Sequence, residues 1–367
     1  MITGLLISMA AILEAALPEN GQVAFIAGEE QKKRIITVYD FSTRQFRKVG
    51  AGTHNGAPSW SPDGQVLAFT GRIDDRYGVI TVNADGSNPR MADLDFEVLD
   101  DMPRWSADGK KLAFSVSLGG EPPRFGIAVW DLATNETALW GGDAFPSLRA
   151  PVWMPSTDLL MALDVQTQQD DISDKLFALR EDAEKHGVLL ALAWFPGKQY
   201  TEPVLVTLSV ALPLLYVAKA PSDRSAEWML LPDHKGRQIA FESDMGGDRE
   251  IYVLGKRGVV NATNHPAADW FPKWSPNDRM LAFESFRDGR RGVYLSVVET
   301  ARVSPVAVSA SWDCWSPDWS PDGKWLVYVS NRNGKPDLWI TDQDGGHAEA
   351  IPADSWALAP AWRPKGN

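Results

Sequence analysis

Trp319-Ser-Pro-Asp-Gly323 runs straight into Lys324-Trp-Leu-Val-Tyr-Val-Ser330: an aromatic, a turn phrase, then a mostly apolar strand. The phrase also stands at Trp60-Ser-Pro-Asp-Gly64 before Val66-Leu-Ala-Phe69, and at Trp105-Ser-Ala-Asp-Gly109 before Leu112-Ala-Phe114. It returns at Trp274-Ser-Pro-Asn-Asp278 before Leu281-Ala-Phe283. Weaker copies sit at Trp153-Met-Pro155, Trp228-Met-Leu-Leu-Pro-Asp233 and Trp362-Arg-Pro-Lys-Gly366. Pro-Asp-Gly is a tight reversal in which Gly supplies the positive φ that other residues avoid. A period near 45 residues, written in strands and turns, predicts an all-β propeller of four-stranded antiparallel blades.

One repeat shows the grammar. Ala57-Pro-Ser-Trp60 is a first strand, Gln65 to Thr70 a second, Val79-Ile-Thr-Val82 a third and Arg90 to Leu94 a fourth. The repeated Trp is read as structural, filling the wedge where neighbouring blades meet. The two ends of the sequence complement each other. Gln22-Val-Ala-Phe-Ile26 is a second strand with no first strand before it, and Ala359-Pro-Ala-Trp362 is a first strand with nothing after it. Pairing them makes one blade and closes the ring, which removes exposed sheet edges.

Successive Trp lie 43 to 48 residues apart except for one interval of 75, from Trp153 to Trp228. Read plainly this gives seven blades with an insertion between 166 and 225. A second reading takes Leu190-Ala-Leu-Ala-Trp194-Phe-Pro-Gly-Lys198 as a degraded copy that opens an extra blade. The apolar run from Val204 to Val217 needs burial, which favours eight blades over seven. Residues 19–367 are expected to form a single propeller domain, irregular at 166–225. Residues 1–18 form an apolar segment, read as an export or anchor segment or as a helix packed on the propeller. Glu14 interrupts its apolar run, and no Lys or Arg follows Met1 as a secretory signal requires.

Forty-eight acidic against thirty-six basic residues give a net charge of −12, a surface that repels phosphate backbones, so no nucleic-acid partner is expected. The single Cys, Cys314, rules out an intrachain disulfide.

Pro272-Lys-Trp274-Ser-Pro-Asn-Asp278 with its Leu-Ala-Phe-Glu-Ser285 strand, and Trp319 through Arg332, closely resemble the repeat of the TolB-like propeller family. The resemblance runs from about residue 20 to 364 and decays over 166–225. It implies the propeller fold. That family includes periplasmic and cell-surface scaffolds that bind other proteins, and similar repeats precede the catalytic domain of prolyl-oligopeptidase-like peptidases. Fold alone implies no activity.

The chain has no Gly-x-Ser-x-Gly and no residues left over for a hydrolase domain. His54, His186, His234, His265 and His347 are scattered singly, no Cys pair exists, and no Asp-Gly turn extends to a calcium loop. No catalytic residue, metal site or cofactor is therefore assigned. Topology points to one face instead, because loops entering first strands and loops joining strands two and three emerge together. The entering loops carry His54, Asp100, Asp101, Phe145, Asp269, Trp270, Trp312, Asp313, Trp315 and Trp356. The companion loops carry Asp74, Asp75, Arg76, Arg287, Arg290, Arg291 and Arg332. Aromatics interleaved with carboxylates and Arg are what protein interfaces concentrate. The bland reading is that Trp270, Trp315 and Trp356 plug the central channel.

The expected function is a non-catalytic scaffold that docks another protein, in the periplasm or at the cell surface. The alternative is a propeller enzyme or binder of a sugar or lactone, with Asp100, Asp101, Asp269 and Asp313 around the channel as acid and base. A third reading is an accessory subunit of a membrane complex, tethered through residues 1–17 or 188–218.

Overall fold

The computed structural model describes residues 18–28, 34–49, 52–99, 102–141, 147–155, 187–194, 201–207, 215–217, 227–256 and 258–366. Residues 1–17, and with them the export-or-anchor reading, lie outside the described residues, as do Asp100, Asp101 and Phe145.

The described strands form seven antiparallel sheets, and the chain is an all-β propeller of four-stranded blades. Sheet five is representative. Glu227–Pro232, Ile239–Ser243, Glu250–Gly255 and Gly258–Asn261 pair in that order from inner to outer strand. Sheet six repeats this with Asp269–Trp274, Met280–Ser285, Gly292–Val297 and Arg302–Ala307. Sheet seven uses Cys314–Trp319, Trp325–Ser330, Asp337–Asp342 and Ala348–Ile351. Sheet three departs by pairing its second strand, Lys111–Gly119, with two short strands, Glu97–Val98 and Arg104–Trp105. Sheet one joins the two ends of the sequence: Ala357–Trp362 lies antiparallel beside Gln22–Ala27, with Val23 opposite Trp362 and Ala27 opposite Ala357.

Val188–Trp194, Thr201–Thr207 and Leu215–Val217 are the second, third and fourth strands of the sheet begun by Ser147–Trp153. The reading of Trp194 as the opening of an extra blade is thereby corrected. Trp194 ends a second strand, opposite Ser147 on one side and Thr201 on the other. Val188, Leu190 and Leu192 pack against Ile239 and Phe241 of sheet five, and Leu189 and Ala191 against Ala113, Ile127 and Val129 of sheet three, so both faces of this strand are covered by the adjoining sheets.

The core is divided among the gaps between sheets, since an apolar sheet face must be buried against the next. Ala24, Ile36 and Val38 of sheet one pack with Trp60, Leu67 and Phe69 of sheet two, which is built from Ser59–Trp60, Val66–Ile73, Arg76–Asn83 and Arg90–Met91. Phe283 and Tyr294 of sheet six pack with Ile251 and Val253 of sheet five. Sheet seven meets sheet one through Val327, Leu338 and Ile340 against Phe25, Phe41 and Trp362.

The turn phrase explains itself chemically. The Ser61 hydroxyl donates to Asp63 (2.6 Å) and accepts from the Val66 N–H (2.9 Å), while the Gly64 N–H donates to the Ser61 carbonyl. Ser106–Asp108, Ser275–Asn277 and Ser320–Asp322 repeat the contact at 2.6–2.8 Å. Gly64, Gly109 and Gly323 sit at φ of 68° to 71°, and Asp278 takes the same conformation at 59°. The Trp of the phrase then reaches back one sheet. The indole N–H groups of Trp60, Trp105, Trp153, Trp274 and Trp319 donate to the carbonyls of Ala361, Ser59, Arg104, Leu231 and Lys273, at 2.9–3.2 Å. Each ring fills the wedge between two sheets and satisfies its one polar atom on the neighbour.

The Ser61 hydroxyl and the Gln65 N–H hold the Asp63 carboxyl below the usual carboxylate range. A carboxyl depressed in the folded state stabilises above its unfolded pKa, and that contribution is lost as pH falls through the folded value. Ser61→Ala should therefore lower the melting temperature measurably at pH 6. The gap to the unsubstituted chain should shrink as the pH falls below about 4, the ordinary Asp value. A gap constant from pH 6 to pH 3 would reject this account of the turn.

Candidate functional site

In sheets five and six the second strand closes with the same words, Phe241-Glu-Ser243 and Phe283-Glu-Ser285, and an Arg follows seven residues after each Glu. Glu242 and Glu284 are fully buried. An isolated buried carboxylate is costly, so each must be paired and hydrogen-bonded. Arg249 and Arg291, on the loops into the third strands, supply the pairs: Arg249 closes on Glu242, and Arg291 Nε lies 2.5 Å from Glu284. The remaining oxygen of each carboxylate crosses to the next sheet. Glu242 accepts the Phe271 N–H (2.6 Å) and Glu284 the Ser316 N–H (2.7 Å). Burial pushes both carboxyls upward in pKa, opposed by the Arg and the main-chain N–H.

The accepting N–H groups belong to bulges. The register of the inner strand shifts between Trp270 and Lys273, and again between Trp315 and Asp318. Phe271 and Ser316 sit there with φ of 54° and 51°. Ala150 occupies the same conformation, and its N–H goes to Ser115 Oγ (2.9 Å) of the preceding sheet. These three bulges are thus each stapled by a polar side chain from the second strand before them.

The guanidinium groups that make these pairs also cover the Trp rings. Arg249 lies over Trp270 (5.3 Å) and Arg291 over Trp315 (5.5 Å). Arg332 lies over Trp339 (3.9 Å) and Trp312 (5.4 Å) and donates to the Tyr328 hydroxyl (2.7 Å). Burial pushes that hydroxyl up to about 12. Arg287 pairs with buried Asp269 (2.8 Å), and Arg290 with Asp313 (3.2 Å), which also accepts from the Asn331 amide (3.3 Å). Burial raises the Asp269 carboxyl.

Of the residues singled out in the sequence, Asp269, Trp270, Trp312, Asp313 and Trp315 are therefore gathered on one face, across sheets six and seven, with Arg287, Arg290, Arg291 and Arg332. His54 and Trp356 make local contacts instead. His54 Nδ1 lies 3.0 Å from Thr53 Oγ1, and the Trp356 carbonyl accepts the Gly28 N–H. The Trp rings themselves are half-buried, and the exposed apolar surface belongs to two residues that sequence reasoning missed. Phe271 is 42% exposed and Phe286 40%, and Phe286 meets Trp270 edge-on at 5.6 Å. The Glu–Arg staples were missed as well, because a Glu in a strand with an Arg seven residues on is equally what a solvent-facing position shows. Among the described residues no group of three His, Cys, Asp or Glu side chains is placed to hold a metal, and no helix is long and apolar enough to cross a membrane.

Residues 231–366 match the family model described as the TolB beta propeller domain. A curated relative, the Tol-Pal system protein TolB of Alcanivorax borkumensis, is 39% identical over 54 residues, a stretch covering 14% of this chain and 12% of that protein. The crystal structure of TolB from Acinetobacter baumannii superposes with a TM-score of 0.56 at 17% identity, covering 94% of this chain and 67% of that one. Oligogalacturonate lyase from Vibrio parahaemolyticus gives a TM-score of 0.61 at 12% identity, covering 89% and 92%. At such identities the likeness to solved structures is one of fold. The resemblance of the repeat to the TolB-like propeller family is borne out over residues 231–366, the stretch that matches the family's model.

Proposed function

We propose that this chain is a non-catalytic scaffold that docks another protein on the face carrying Phe271, Phe286, Trp270, Trp312 and Trp315. The supporting observation is Phe271. A non-glycine residue at positive φ costs on the order of 1 kcal/mol, and Phe271 holds an aromatic ring there with 42% of its surface in solvent. Its counterparts at the same bulge are Ala150, Met229, Ser316 and Ala359, none of them aromatic. A partner that buries Phe271 and Phe286 against a rim of Arg and Asp fits the usual anatomy of an interface. The scaffold is taken as one domain over residues 19–367, a ring of seven blades joined through the inner strand Ala357–Trp362. Likeness to a Tol-Pal system protein supports a protein partner and a location in the periplasm or at the cell surface.

The rival reading, a sugar or lactone site using acidic residues, draws support from the lyase likeness alone. Asp269 and Asp313, two of its four carboxylates, are held by Arg287 and Arg290.

Phe271→Asn tests the proposal, because Asn tolerates the left-handed region. Its melting temperature should match or exceed that of the unsubstituted chain. Its partner, captured on the tagged native protein from gently solubilised cells and identified by mass, should bind at least tenfold more weakly. Undiminished capture would remove this face from the function.

A further inference from the structure

A second surface lies away from the loop face, on the outer rim between sheets five and six. There a cleft of about 720 Å³ is lined by Val253, Val260 and Val298 and by Arg237, Lys256 and Arg279. All three cations are exposed. Among the described residues none of them forms an ion pair, although the chain as a whole carries −12. The acidic residues at the cleft are Glu299 and Asp278. Asp278 is buried and engaged elsewhere, accepting from the His234 N–H (3.0 Å) and lying 2.6 Å from His234 Nδ1.

The outer strand beside the cleft is an open edge. The Ala262 N–H donates to the Ile251 carbonyl at its end (2.8 Å). By the alternation of an antiparallel ladder, Val260 then bonds inward to Val253, while Val259 and Asn261 turn their main-chain N–H and C=O outward. Edges are commonly guarded by charge or Pro. Sheet one places Arg47 and Lys48 on its outer strand, and sheet six places Arg302 and Pro305. Gly258-Val-Val-Asn261 has neither, and Val259 and Val260 are 36% and 45% exposed.

We infer that this edge receives an extended acidic peptide of a partner protein, adding as a fifth strand to sheet five, with alternate apolar side chains against Val260 and carboxylates among Arg237, Lys256 and Arg279. Main-chain bonds would give affinity and the three cations the preference for acid.

The test uses the full chain and a fluorescein-labelled, capped octapeptide of alternating Glu and Val, read by polarisation. Binding should weaken at least tenfold with the combined change Arg237→Glu, Lys256→Glu and Arg279→Glu. It should weaken similarly when the peptide is N-methylated on alternate amides, and it should fall as salt rises. Phe271→Asn should leave it unchanged, which separates this surface from the loop face. Equal binding of a Lys–Val peptide, or indifference to N-methylation, would overturn the proposal. So would salt-sensitive self-association without peptide binding, since that would assign the edge to a second copy, whose acidic cleft at Asp93, Asp131 and Glu136 beside Thr137–Trp140 offers the opposite charge.

Discussion

Removing residues 357–367 should leave a chain that no longer unfolds cooperatively. The strand Ala357–Trp362 is the inner strand of sheet one, paired along Gln22–Ala27. Trp362 stacks on Phe41 at 5.2 Å, and its main-chain N–H donates to Asp318 of sheet seven (2.7 Å). The Ala361 carbonyl accepts the Trp60 indole of sheet two (3.0 Å). Deletion therefore opens two cores at once, the one shared with sheet seven and the one shared with sheet two. Truncating one buried Trp alone costs about 3–5 kcal/mol, and a folded domain holds only about 5–15 kcal/mol in total. The expected result is loss of the thermal transition by circular dichroism, with partial recovery when a peptide of residues 357–367 is added in trans. A truncated chain that melted within a few degrees of the intact one would disprove the joining role of this strand.

Glu284→Ala carries the second large effect. It leaves the Arg291 guanidinium without its carboxylate and the Ser316 N–H without an acceptor. Breaking a fully buried pair costs about 3–5 kcal/mol. Arg291 keeps about a third of its side chain in solvent, which lowers that share, and the orphaned N–H adds about 1–3 kcal/mol. The net expectation is a loss of about 3 kcal/mol in the unfolding free energy, read from a denaturant titration. Glu284→Gln keeps an oxygen for Ser316 and should lose about half as much. The matching change at Glu242 should also weaken partner capture, because Glu242 holds the Phe271 N–H that sets where the ring points. A Glu284→Ala chain within about 1 kcal/mol of the original would mean that the staple contributes little.

These two effects differ in how far the residues announced them. The complementary strands at Gln22 and Ala359 were legible because each is an apolar run whose turn partner is missing nearby. The staples were not, since a Glu in a strand reads as a solvent-facing position until the neighbouring sheet is placed over it. The candidate face was legible in part. Asp269, Trp270, Trp312, Asp313 and Trp315 came together as the loop topology requires, but most of the exposed apolar surface there belongs to Phe271 and Phe286. In the sequence, Trp270 and Phe271 are equivalent aromatic neighbours. The bulge, which reverses the sense of one residue in the inner strand, decides which of them turns to solvent.

The sequence by itself determined the strand-and-turn repeat, the wedge role of its Trp, and the chemistry of the turn, in which Ser, Asp and Gly act within five residues of one another. Those are short-range properties, set by φ preferences and local hydrogen bonds. Tertiary structure decided that Val188–Trp194 pairs with Ser147–Trp153 across the intervening residues 154–187, and that Trp194 therefore opens no further blade. It also decided which carboxylates are buried and which cations stand unpaired. Strand partners distant in sequence and burial between sheets depend on what the rest of the chain places alongside, and no local pattern carries that information.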